Sequence, residues 1–156
     1  MVGADLEQVS QYLAGIGMGT PLVDRTKVVL GRMIEFLPEG PQYFFVSEYR
    51  DAEGSRSYDS LWLLSENFMA ESQQFVVTDQ FDVTRVDRGL MRILVSHEDF
   101  DFKDAADSSR MSVDINIEGS GPITGTFRAS GSNCSDLNVI LRQYLLTLLS
   151  KSPSCS

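Results

Sequence analysis

Two adjacent stretches between residues 111 and 130 alternate strictly between apolar and polar side chains, and this pattern most limits how the chain can fold. The apolar positions are Met111, Val113, Ile115 and Ile117 in the first stretch, and Ile123, Gly125, Phe127 and Ala129 in the second. A period of two is typical of a β-strand with one buried and one solvated face. The glycine- and proline-containing segment 119–122 predicts a turn, so we expect a hairpin whose register is fixed by its buried face.

A helical pattern follows this hairpin. Beyond Ser132 or Ser135, either of which can cap a helix, apolar residues recur at i, i+3 and i+4. They are Leu137, Ile140, Leu141, Tyr144, Leu145 and Leu148, and Leu146 and Leu149 add a second apolar edge. We expect an amphipathic C-terminal helix laid across a sheet, with an apolar face wide enough to contact a partner as well as the core.

Short runs rich in aromatic and β-branched residues, separated by polar turns, predict five more strands between Pro41 and His97. These runs cover or lie within 42–50, 58–66, 69–78, 81–86 and 90–97. Together with the hairpin they make seven strands. The predicted class is α+β: a seven-stranded, strongly bent antiparallel sheet or partly open barrel, capped by the C-terminal helix.

Two helical segments precede the strands. The first begins near Asp5, which has Gln8 at the spacing of a capping box, and Thr20-Pro21 is typical of an N-cap followed by proline at the first position of a second helix. Residues 21–37 fit either a helical stripe or a strand, and we favour the helix. The predicted organisation is an N-terminal helical extension over 1–40, a sheet-and-helix domain over 41–151, and a tail over 152–156.

Charge and cysteine content narrow the partners and the compartment. A net charge of -9 and a pI near 4.5 disfavour nucleic acid and anionic membranes, because both bind through clustered Lys and Arg. No secretory signal is expected, and no apolar run is long enough to span a membrane. We expect Cys134 and Cys155 to be unpaired thiols in the cytoplasm, with a bridge between them as the alternative.

No residue set matches a common catalytic or metal-binding pattern, so we predict no enzyme activity, no cofactor and no metal site. The acidic segment 98–107 beside His97 lacks the ligand spacing of a calcium loop, although cation binding there stays open. Cys134 is expected to be a packing residue and not a nucleophile. The glycines between residues 15 and 19 follow a helix and not a strand, which predicts a joint instead of a phosphate loop.

Seven consecutive strands followed by one amphipathic helix resemble the pleckstrin-homology-like superfold over about 42–151. The resemblance rests on element order and on the segments 62–64, 75–79 and 81–83, and on no signature motif. Lipid-binding members typically place Lys and Arg in the first inter-strand loop, whereas this loop carries Asp51 and Glu53 beside two arginines. The resemblance therefore implies a binding scaffold but not phosphoinositide binding.

These observations predict a non-catalytic protein-binding or adaptor module that acts through a sheet edge or the C-terminal helix. The candidate partner-binding residues are Arg85, Arg88, Arg92, Leu146 and Leu149. One alternative is an acidic dimer, similar to secretion chaperones, that holds an unfolded client. The other is a small-ligand carrier or enzyme that uses a concave sheet face. That face would be lined by some of Trp62, Phe75, Phe81 and Phe127. A homo-oligomer is compatible with each.

Overall fold

The computed structural model describes residues 6–51, 53, 55–99, 109–117 and 125–151. In chain order the elements are α1 (Leu6–Gly15), α2 (Thr20–Phe36), β1 (Tyr43–Arg50), β2 (Arg56–Leu64), β3 (Phe68–Gln73), β4 (Asp82–Arg85), β5 (Arg92–Asp99), β6 (Ser109–Asn116), β7 (Gly125–Ser130), α3 (Asn133–Ile140), a π-helical turn (Leu141–Leu145) and α4 (Leu146–Ser150). The predicted α+β class is confirmed, and the described residues contain seven strands.

The prediction of one seven-stranded sheet is wrong. The strands form a four-stranded antiparallel sheet in the order β1-β2-β3-β4 and a three-stranded antiparallel sheet in the order β5-β6-β7. The physical reason lies in the link after β4, where the Gly89 amide closes a turn onto the Val86 carbonyl. The next amide, from Leu90, bonds to the Leu148 carbonyl at the end of α4 (3.2 Å). The Leu90 amide therefore bonds to helix α4 and is not available to continue the hydrogen bonds of a single sheet.

The chain divides into two compact units. Unit 1 contains the described residues up to Ser47 together with Tyr58–Arg85, and unit 2 contains the described residues of 48–57 and those from Val86 onwards. Strands β1 and β2 therefore begin or end in different units. The boundaries predicted at residues 40 and 151 stay predictions.

Unit 1 is built around helices α1 and α2 and the sheet β1–β4. Its core residues are Val9, Leu13, Ile16, Met18, Val29, Leu30, Met33, Leu37, Phe44, Val46, Leu61, Leu63, Ala70 and Phe75. Residues 20–36 are helical, as favoured from the sequence, because the stripe containing Val29 and Met33 is buried. Val28 and Phe36, which a strand would have directed inward, are exposed.

The glycine-rich link between α1 and α2 is a tight turn. Gly17 has φ +90°, a conformation that glycine adopts without steric cost. The amides of Gly17 and Met18 bond back to α1, at the carbonyls of Ala14 and Leu13. Helix α2 has its N-cap at Gly19, without a side-chain capping bond, so the predicted cap at Thr20 is wrong by one residue. The predicted capping box at Asp5 lies outside the described residues.

In unit 2 the predicted hairpin and C-terminal helix are confirmed. Strands β6 and β7 pair with Val113 opposite Phe127 and Met111 opposite Ala129, so the apolar positions share one face. Helix α3 contacts both strands, and Leu137 on it is fully buried. The turn predicted at 119–122 lies outside the described residues.

The C-terminal helix is not uniformly α-helical. A π-helical turn over Leu141–Leu145 separates α3 from α4. A π-turn inserts extra backbone and rotates the residues that follow relative to the preceding face. After this turn Leu148 is buried, whereas Leu146 and Leu149 remain 43% and 38% exposed.

Candidate functional site

Of the five candidate partner-binding residues, one lies in unit 1 and four lie in unit 2. Arg85 ends β4 in unit 1. Arg88 and Arg92 lie at the turn before β5 and at its start, and all three arginines are exposed. Leu146 and Leu149 are on α4, whose Leu148 carbonyl accepts the bond from Leu90. The structure therefore brings the Arg88 turn and α4 together within unit 2. A role of these residues in binding stays a prediction.

Strand β5 is the most exposed strand of unit 2. Of the seven residues from Met91 to His97, Ile93 is half-buried and the other six are exposed. Met91, Leu94 and Val95 are 64%, 46% and 45% exposed. Because β5 ends the order β5-β6-β7, one side of its backbone faces away from the sheet. We call this backbone edge, with Met91, Ile93, Leu94 and Val95, the β5 edge.

The register explains why β5 is exposed on both faces. Val95 lies opposite Val113 of β6 and therefore shares its face, yet Val113 is fully buried. Helix α3 contacts β6 and β7. The main helical contact of β5 is with the short helix α4. Leu94, opposite Asp114, points to the other face. The helix thus covers two strands well and leaves apolar side chains of the third in solvent.

The other sheet edges differ from β5. Strand β7 is largely buried, and β1 is buried continuously from Phe44 to Glu48. The Val46 amide of β1 also donates to the Tyr12 hydroxyl (3.1 Å). Strand β4 is exposed but only four residues long, with Asp82 and Arg85 at its ends. Short, charged edges resist pairing with another chain, whereas a long apolar edge favours it.

A second feature of unit 2 is a cavity of about 130 Å³, which we call the Tyr49 pocket. It is lined by Glu48, Tyr49, Arg50, Ser96, Glu98, Arg110, Met111, Ser112, Arg128 and Ala129. Strands β1, β5, β6 and β7 all contribute to it. Glu98 and Arg110 are opposite each other in the β5–β6 register, and Ser112 is opposite Arg128 in the β6–β7 register.

Two arginines flank the aromatic ring in this pocket. The Arg110 and Arg128 guanidinium carbons lie 4.9 Å and 5.3 Å from the Tyr49 ring centroid. These distances are typical of cation–π interactions, which favour guanidinium groups over aromatic faces. Arg110 also donates a hydrogen bond to the Arg50 carbonyl. The end of β1 is therefore held against β6 and β7 by two cationic side chains.

Glu48 is a buried carboxyl group at the pocket wall, with 1% of the residue exposed. The Ser130 hydroxyl donates to its Oε1 at 2.6 Å. Its Oε2 is buried and has no hydrogen-bond partner among the described residues. Burial raises the pKa of Glu48 above 4.5, although the Ser130 hydrogen bond and the charges of Arg56 and Arg50 act in the opposite direction.

The Glu48 carboxyl group should make stability depend on pH. A folded-state pKa above 4.5 means that the folded chain holds the proton more tightly than the unfolded chain. The stabilisation is complete below pH 4.5 and is lost as the pH rises through the raised pKa. In wild type, part of the free energy of unfolding is therefore lost as the pH rises. We expect Glu48→Gln to lack this loss when urea unfolding is measured from pH 4.5 to 8. Exposed Glu53→Gln should keep the wild-type profile, and an unchanged profile in Glu48→Gln would refute the assignment.

Unit 1 has a wider, acidic depression of about 500 Å³. It is lined by Glu71, Gln73, Asp79, Gln80, Phe81 and Asp82. Burial raises the pKa of Glu71, while hydrogen bonds from Ser60 and Gln73 lower it. Arg25 and Arg32 pair with Asp79 at 2.7 Å and 3.2 Å, so this carboxylate ties α2 to the loop before β4. We regard the depression as part of the structural support of unit 1.

The remaining sequence candidates take structural positions. Trp62, Phe75 and Phe127 are buried, and the Phe81 ring packs against Phe36 with centroids 5.9 Å apart. The Cys134 thiol is buried, 3.7 Å from the Ser109 carbonyl oxygen. Cys155 and the acidic positions 100–107 lie outside the described residues. In the part of the chain that is described, no three His, Cys, Asp or Glu side chains are grouped to hold a metal ion.

Each helix in the described part of the chain is too short or too polar to cross a lipid bilayer. No protein-family model, no curated protein and no solved structure matches the chain.

Sequence reasoning missed both features of unit 2. The β5 edge had one visible signal: Ile93, Leu94 and Val95 are three apolar residues in a row and break the alternation of a strand with one wet face. The Tyr49 pocket had none, because the hydrogen bond between Ser130 and Glu48 joins residues 82 positions apart.

Proposed function

We propose that the protein is a non-catalytic protein-binding module that takes up an extended segment of a partner protein at the β5 edge. The observation that carries the proposal is an eight-residue edge strand that exposes apolar side chains on both faces. Such an edge is a hazard for aggregation unless another chain pairs with it. In strand addition, backbone hydrogen bonds provide affinity and alternate side chains provide specificity.

The charges of β5 define the partner strand. Arg92 begins β5, and Glu98 lies near its end. An antiparallel partner strand would place an acidic residue near Arg92, apolar residues along Ile93 to Val95, and a basic residue near Glu98. Opposite charges directly across strands stabilise pairing, and like charges oppose it. The partner segment is therefore an extended apolar sequence with an acidic and a basic end.

The order of the elements supports a wider proposal. Seven strands followed by a C-terminal helix agree with a pleckstrin-homology-like relationship for residues 41–151. A strongly bent arrangement of the strands and a cytoplasmic location are part of this proposal.

Of the candidate partner-binding residues, Arg92 lies in the proposed docking strand itself, since it is the first residue of β5.

Nothing specific favours the client-binding dimer. Secretion chaperones of that kind have a helix between strands, whereas residues 68–96, all of which are described, contain β3, β4 and part of β5 with turns between them and no helix. The extended partner segment remains the better candidate.

A displayed library of random peptides, selected against the purified protein, tests the proposal. We expect the enriched peptides to alternate apolar residues between an acidic and a basic end. Val95→Lys should weaken their binding at least about tenfold, because a lysine on an edge strand opposes pairing. Val77→Lys introduces the same change at a position that is 74% exposed in unit 1, and should bind as the wild type does.

Two results would contradict the proposal. One is selected peptides that bind Val95→Lys as tightly as wild type, which would place the docking surface elsewhere. The other is a dimer, detected by light scattering and lost in Val95→Lys, together with no enriched peptide. That outcome would assign the β5 edge to a second copy of the chain.

A further inference from the structure

The Tyr49 pocket is locally cationic in an acidic protein. Three arginines line it, and a fourth, Arg56, acts on Glu48 through its charge. They are four of the 13 basic residues in a chain with net charge -9. Two acidic residues, Glu48 and Glu98, also line the pocket. A site in which cations outnumber anions favours a singly charged anion over a cation.

The wall of the pocket also contains a built polar group that the protein itself does not satisfy. Glu48 Oε2 is buried, and the described residues offer it no hydrogen bond. Buried polar atoms without a partner are rare in folded proteins, and each one calls for an explanation. A protonated carboxyl group can donate from this oxygen to an anionic acceptor in the cavity, while Ser130 continues to donate to Oε1.

Size and lining restrict the ligand further. A volume of about 130 Å³ is slightly smaller than the engineered apolar cavity of about 150 Å³ that holds benzene. The Tyr49 ring provides apolar surface between the arginines, whereas the Met111 and Ala129 side chains are buried on the opposite face of the hairpin. The pocket therefore suits a ligand near benzene in size, with one charged end and a short apolar body.

We propose that the Tyr49 pocket binds a small monocarboxylate with a short apolar tail. The ligand carboxylate accepts a hydrogen bond from the Glu48 carboxyl group and is stabilised by the charges of Arg110 and Arg128. Hydrogen bonds of the O–H···O⁻ type are short and strong, because the acceptor carries full charge. The apolar tail lies against the Tyr49 ring. This inference does not depend on the β5 edge as a protein-docking surface.

The binding is coupled to protonation of Glu48. Ser130 on β7, Arg56 on β2 and Arg50 on β1 act directly on Glu48. Glu98 on β5, Arg110 on β6 and Arg128 on β7 line the same pocket. Glu48 donates only when it holds a proton. Binding should therefore strengthen as the pH falls from 8 to 6, a range in which a small carboxylate stays ionised.

Butyrate is the probe, titrated into the full-length chain and followed by amide chemical shifts. We expect saturable one-to-one binding that shifts the Tyr49, Ser96 and Ser130 amides and tightens at pH 6. Butyramide, which lacks the charge, and inorganic phosphate, which lacks the apolar tail, should bind more weakly. Arg128→Gln should weaken butyrate binding at least about tenfold. Arg142→Gln is the matched control on the exposed face of the C-terminal helix and should bind as wild type does.

Glu48→Gln separates a binding role from a purely structural one. Glutamine keeps a hydrogen-bond donor but cannot titrate, so butyrate binding should persist and lose its dependence on pH. The proposal is overturned if wild type does not bind butyrate, if butyramide or phosphate binds as well as butyrate, or if Glu48→Gln keeps the wild-type pH dependence. Equal binding by Arg128→Gln and Arg142→Gln would also overturn it.

Discussion

Replacing Gly89 with alanine is expected to lower the free energy of unfolding by about 2 to 4 kcal/mol. Gly89 has φ +88°, a conformation that side-chain-bearing residues rarely adopt. A Cβ at this position would overlap the Leu148 carbonyl oxygen and press against Lys151. Since Leu148 also accepts the Leu90 amide, moving the end of α4 away would cost that bond as well. Urea unfolding at constant pH measures the loss.

Gly31→Ala is the matched control for Gly89→Ala. Gly31 is an exposed position inside α2, and a Cβ there would have no neighbour within 4 Å. Alanine exceeds glycine in helix propensity by about 1 kcal/mol, so this variant should be slightly more stable than wild type. A Gly89→Ala protein as stable as wild type would show that the turn before β5 does not pack closely on the end of α4.

Replacing Leu137 with alanine should cost about 2 to 5 kcal/mol. Leu137 is on α3, which contacts β6 and β7, and none of its surface is exposed. Truncating it removes buried apolar surface and leaves a cavity beneath the helix. Thermal and urea unfolding both report the change.

Leu146→Ala is the same substitution in the same helical segment, beyond the π-helical turn. Leu146 is 43% exposed, so its truncation should cost less than about 1 kcal/mol. Equal losses for Leu137→Ala and Leu146→Ala would contradict the packing of the C-terminal helix described above. The comparison also tests the effect of the π-turn, because an uninterrupted α-helix would orient Leu146 differently.

The periodicity of apolar residues predicted those helices and strands whose buried face is set by neighbouring positions in the sequence. The β6–β7 hairpin could be predicted because Met111 to Ile117 alternate without error, and a slip of one residue would expose the whole apolar set. Helix α2 was ambiguous, because its apolar residues fit two periods. The buried position of Met33 and the exposed position of Phe36 settle it as a helix.

Long-range contacts determined what the sequence did not reveal. The split into two sheets depends on the contact of Gly89 and Leu90 with the end of α4, about 60 residues later in the chain. The Tyr49 pocket depends on β1 meeting β7, which brings Glu48 to Ser130. Neither arrangement has a local pattern, because periodicity reports which face of an element is buried but not which element buries it.

The β5 edge is most directly tested by amide hydrogen exchange in β5, measured with and without a peptide selected from the library. Alternate β5 amides point away from β6, and in the protein alone they should exchange rapidly. The peptide should slow the exchange of these amides at least about tenfold, because each would then donate to the added strand. Outward β5 amides that are already slow without peptide, or protection that appears on α4 in place of β5, would contradict the proposal that this strand receives the partner.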